Sequence, residues 1–104
     1  MTPSADKEAT AFSDAVAAEI RALLARHQLS GRRVAEQVGM SHNYLAKRLR
    51  GEMPFDVADL DRLSPVLHAE PGAILTSAQH SMHRSDWGLA AKEQAPDVDE
   101  GDYL

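Results

Sequence analysis

SGRRVAEQVGMSHNYLAKRLRG, Ser30 to Gly51, is the stretch on which the fold turns. It reads as a short helix ending at Val38, a turn at Gly39-Met40-Ser41, and a second short helix over 42–50. Ser30 and Ser41 stand where side-chain oxygens cap helix N-termini. Gly39 falls where the backbone needs a positive φ, and Gly51 closes the second helix. Val34, Val38, Met40, Leu45 and Leu49 recur at helical spacing and supply a buried seam, while Ala35 sits where two helices cross closely. The residues between those anchors are polar or basic.

Charge is distributed in the same sense. The chain of 104 residues has a net charge of −5, which alone argues against a polyanion as partner. Yet residues 21–51 carry seven Lys/Arg against Glu36 alone, while residues 52–104 carry three against eleven acids. The positive charge is concentrated on the two short helices, the distribution that phosphate binding needs. This is the layout of a helix-turn-helix whose second helix enters a DNA major groove.

Working outward, the first nine residues read as a flexible arm. A long alanine-rich helix follows from about Thr10 to His27, with Phe12, Val16, Ile20, Leu23, Leu24 and His27 on one face. A fourth helix starts at Asp56, with Asp59 in the capping-box position and Phe55 stapling onto Leu60. Val57, Leu60, Leu63 and Leu67 are its expected buried face. Pro65 removes a helical hydrogen bond and crowds the carbonyl of Asp61, at a cost of ~3 kcal/mol in a regular helix, so a kink or an early end near Ser64 is expected. Glu70-Pro71 starts a fifth helix carrying Ile74 and Leu75 inward. The apolar pattern fades beyond about Gln79. A short helix over 85–94, bearing Trp87, is the most that the C-terminal extension, residues 80–104, suggests. Asp97, Asp99, Glu100 and Asp102, with no basic residue near them, read as a loosely ordered acidic tail. The expectation is therefore an all-α chain: arm 1–9, a five-helix domain 10–79, and an extension 80–104.

Candidate functional residues follow from the helix faces. Arg32 and Arg33 occupy the first turn of the second helix, where acids are normally favoured, which makes sense if an external phosphate arrives at the free N–H groups there. On the third helix Leu45 and Leu49 face the core, leaving His42, Asn43, Lys47 and Arg50 outward. Asn pairs bidentately with adenine, Lys donates to guanine, and His42 donates to a guanine or a phosphate. His42, Asn43 and Lys47 are the base-contacting candidates. Arg32, Arg33, Ser41, Tyr44, Arg48 and Arg50 are the phosphate candidates, with packing as the alternative for Tyr44, Arg48 and Arg50.

Other chemistries find less support. His80 and His83 are three apart but lack a third metal ligand, and read as a surface pair. His27 and His68 sit at helix ends, where positive charge is welcome, and need no functional role. Residues 97–102 do not match a calcium loop, since the glycine is one place early and the bidentate Glu is missing. There is no cysteine, hence no disulfide and no zinc finger, and no serine sits in a nucleophile elbow. No enzyme, metal site or cofactor is expected, and no apolar run is long enough for a membrane span. The polar, acidic N-terminus does not resemble a signal peptide, so a cytoplasmic protein is expected.

On Val34-Ala35, Gly39-Met40-Ser41, Tyr44-Leu45, Leu49 and Gly51, the chain resembles the lambda-repressor-like, Cro-type (XRE) helix-turn-helix family over about Thr10 to Ser77. The Phe55–Leu75 region resembles the family's fourth and fifth helices. Gly31 stands where members commonly carry a phosphate-binding glutamine, so Arg32 and Arg33 take over that duty. Pro65 also departs from the usual pattern. The resemblance implies a sequence-specific transcriptional regulator of double-stranded DNA, most simply a repressor of phage or prophage type that occludes a promoter. It also implies a homodimer on a near-palindromic operator. The competing reading is an antitoxin or adaptor whose C-terminal segment engages another protein.

Overall fold

The computed structural model describes residues 8–94, with side chains described through Arg84. Five helices follow one another: α1 (Ala11–Arg26), α2 (Gly31–Val38), α3 (His42–Leu49), α4 (Val57–Leu67) and α5 (Pro71–Gln94), with no strand among the described residues. Residues 1–7 of the expected arm and the acidic tail lie outside them. No helix is long and apolar enough to cross a membrane among the described residues.

Local chemistry sets the helix starts. Thr10 and Ser13 form a capping box: Ser13 N donates to Thr10 Oγ1 at 3.1 Å, and Thr10 N donates to Ser13 Oγ at 2.7 Å. Ser30 caps α2 by accepting from Arg33 N, and Ser41 caps α3 by accepting from Tyr44 N. Asp56 and Asp59 make the expected box at α4. Gly39 ends α2 with φ 77°, and Met40 N donates back to the Ala35 carbonyl. That arrangement forces the sharp turn between α2 and α3.

The core joins Val16, Ile20, Leu23 and Leu24 of α1 to Val34 and Ala35 of α2, Leu45 of α3, Leu60, Leu63 and Leu67 of α4, and Ile74 and Ala78 of α5. Met40, in the turn between α2 and α3, is buried in the same core. The helix–helix packing is most extensive between α1 and α5, so the two ends of the domain close around the shorter helices.

Three expectations are corrected. The fourth helix does not end near Ser64; it continues through Pro65 to Leu67. Pro65 and Asp61 are exposed, so water can solvate the carbonyl left without its partner. Continuing the helix buries Leu67 completely, a gain of roughly 1.5–3 kcal/mol that offsets most of the proline penalty. Val57 is not on the buried face but is 76% exposed. It opens the helix at a position rotated away from Leu60 and Leu63, and Asp59 takes the inward place instead. The fifth helix does not fade at Gln79 but is continuous to Gln94. Its inward stripe passes from Ile74 to Ala78 and on to half-buried Ser81 and Met82. Ala78 and Ser81 contribute little to an apolar pattern while allowing close packing on α1.

Candidate nucleic-acid interface

The outer face of α3 is built by its inner one. Leu45 is 1% exposed, and its burial fixes the rotation of an eight-residue helix. His42, Asn43 and Lys47 are consequently exposed, with Asn43 and Lys47 one helical turn apart on one stripe. The three base-contacting candidates thus share the solvent side of one helix. No acid lies in the first turn of α2 or of α3. Both helix N-termini therefore carry uncompensated positive potential. Arg32 and Arg33 are exposed at the first of them, and Ser41 caps the second.

Arg50, the α3 C-cap, is also exposed, but its Nε donates to Glu52 Oε2 at 2.6 Å. The pairing raises the Arg50 pKa and lowers that of Glu52, in each case chiefly through this hydrogen bond. A phosphate reaching Arg50 has to compete with that carboxylate.

Tyr44 and Arg48 are turned the other way. The Tyr44 hydroxyl donates to Asp59 Oδ1 at 2.9 Å, and Asp59 is 3% exposed. The Arg48 guanidinium lies 3.5 Å from the centroid of the Tyr44 ring, and its Nη1 donates to the Tyr44 carbonyl at 3.2 Å. Its Nε comes within 3.5 Å of Asp59 Oδ2, an ion pair without a hydrogen bond. These two phosphate candidates are thus engaged behind α3 rather than presented on its outer face. The physical reason is Asp59: a buried carboxylate needs donors and a cation nearby, and residues 44 and 48 lie one turn apart on the side of α3 that meets it. Burial, followed by the hydrogen bond to Asp59, raises the Tyr44 pKa.

Sequence reasoning assigned Asp59 only its capping role. Its second role requires knowing that the Tyr44 hydroxyl of α3 reaches Asp59 of α4, a relationship across the chain that no local pattern encodes. Arg21 was also missed. From α1 its Nη1 donates to the Leu49 carbonyl at 2.5 Å, satisfying an acceptor at the last turn of α3. Close behind, the Gly51 φ is 83°, and a Cβ there would come 3.3 Å from Asp14 Oδ1. The Arg21 hydrogen bond therefore ties the end of α3 to α1.

No family model and no curated protein matches the sequence. Among solved structures, the clp gene regulator ClgR from Corynebacterium glutamicum is similar in three dimensions, with a TM-score of 0.66 over 88% of this chain and 100% of that chain, at 23% sequence identity. The likeness establishes a shared fold.

Proposed function

We propose that this chain is a sequence-specific double-stranded DNA-binding transcriptional regulator, with α3 lying in the major groove. The observation that carries the reading is the two-sided character of α3. Leu45 anchors one side, while His42, Asn43 and Lys47 stand free on the other beside two helix N-termini without acids. In this docking mode His42, Asn43 and Lys47 read base edges, and Arg32, Arg33, Ser41 and Arg50 hold phosphates. Tyr44 and Arg48 brace the helix from behind.

The fold shared with a protein described as a gene regulator supports the same reading. The finer proposal, a repressor of phage or prophage type acting as a dimer on a near-palindrome, rests on the family resemblance. A cytoplasmic location accompanies it. The alternative of an antitoxin or adaptor gains from one observation, the continuation of α5 to Gln94 beyond Ala78, its last core residue among the described side chains.

Selection of duplexes from a randomised pool by the full chain tests the proposal. Enrichment of a common motif is expected, with the preference relaxed in Lys47→Ala at the base pair that Lys47 reads. A folded protein that enriches no motif, or enriches the same one with and without Lys47, contradicts major-groove reading by α3.

A further inference from the structure

His27 and His68 are 41 positions apart in sequence, yet their imidazole rings meet with centroids 5.0 Å apart and planes inclined at 56°. Each closes a helix: His27 is the C-cap of α1, and His68 that of α4. Two helix C-termini, each with the negative end of its dipole, therefore converge on a pair of imidazoles, an environment that favours a cation. His68 holds a left-handed backbone, φ 56° and ψ 39°. Glycine is the residue that accepts this conformation at a helix end without strain. A histidine there keeps an exposed ring against His27 at the expense of backbone comfort.

We propose that His27 and His68 form a two-histidine site for a divalent transition ion of the imidazole-preferring class, with zinc as the reference ion. Two imidazoles on one tetrahedral ion, with bonds of about 2.0–2.1 Å, hold their ring centroids about 5 Å apart, which is the separation found here. The rings border a groove of about 320 Å³ lined also by Glu19, Arg26 and Ser77. That space is sufficient for the water molecules that complete the ion's shell. Among the described residues no group of three or more His, Cys, Asp or Glu could hold a metal ion; at His27 and His68 two imidazoles that already touch would be the protein ligands, with solvent in the remaining positions. Of the charged groups on the groove, Arg26 opposes a cation and Glu19 favours one. The bound ion would clip the end of α1 to the end of α4. No residue of α3 lines this groove.

Calorimetric titration of the full chain with zinc chloride tests it. One ion per chain is expected, with a thermal midpoint that rises with zinc. Above the dissociation constant, the folding constant should grow roughly tenfold for each tenfold increase in free ion. His27→Gln and His68→Asn should each abolish both effects, and asparagine suits the left-handed position so that the fold is retained. The double variant His80→Gln/His83→Gln, which removes the other histidine pair, should keep them. In proton NMR, substoichiometric nickel should broaden the ring signals of His27 and His68 before those of the other histidines. Absence of saturable binding overturns the proposal. So does binding that survives in either single variant, or that disappears with His80 and His83.

Discussion

Tyr44 on α3 and Asp59 on α4 are joined by a 2.9 Å hydrogen bond, with the tyrosine hydroxyl as donor. The other oxygen of Asp59 accepts from Asp56 N at 3.0 Å and faces Arg48. One carboxylate therefore starts α4 and braces α3 at the same time. Replacing Tyr44 by Phe leaves a buried acceptor short of its donor, with an expected loss of about 1–3 kcal/mol in urea denaturation. The pH dependence has a defined sign. The folded-state pKa of Tyr44 is raised above its ordinary value of 10.0. Its contribution is fully present below that value and is lost as pH rises through the folded-state pKa. Tyr44→Phe should flatten the fall in stability above pH 10.0; an unchanged slope would show that the bond contributes nothing.

Asn43→Ala and Lys47→Ala should weaken binding to the selected DNA site by roughly 1–3 kcal/mol each, with a much smaller effect on unrelated duplexes. Fluorescence anisotropy with both duplexes measures the difference. Equal losses on both would assign these side chains to the phosphate backbone.

Removing Arg32 and Arg33 together should weaken binding to every sequence alike. The plot of log affinity against log salt should become shallower by about 0.9 for each phosphate that the variant no longer neutralises. If the slope of the double alanine variant equals that of the parent, the two arginines are solvated surface charges only.

Gly39→Ala isolates a backbone effect, since a Cβ there meets nothing within 4 Å while φ stays at +77°. A stability loss of about 1–2 kcal/mol is expected from the left-handed conformation alone. Thermal or urea unfolding reads it directly, and a neutral result would mean that the turn relaxes at little cost.

The parts legible in the sequence were those encoded within a few residues. The caps at Ser30, Ser41 and Asp56, the turn glycine at position 39 and the burial of Leu45 all depend on neighbours in the chain, and all stand in the structure. So does the solvent exposure of Asn43 and Lys47, which follows from the rotation that Leu45 imposes. Pro65 misled because its penalty is local whereas the burial of Leu67 that offsets it is tertiary. The extent of α5 was hidden by Ala78, which packs closely while adding little hydrophobic signal. For Tyr44 and Arg48 the sequence left phosphate contact and packing both open, because Asp59, which engages both, lies on another helix. The cation–π pair itself joins residues four apart, a spacing available in the sequence.

An isolated helix as short as the eight residues of α3 is not stable in water; about 12–15 residues mark the margin even for good helix formers. Its order comes from outside: Ser41 at the start, Tyr44 on Asp59 in the middle, and Arg21 on the Leu49 carbonyl at the end. These attachments meet the conformational entropy cost during folding, before any partner arrives. Docking on this face then requires little further freezing of the backbone, so affinity depends mainly on the side chains and the water they release.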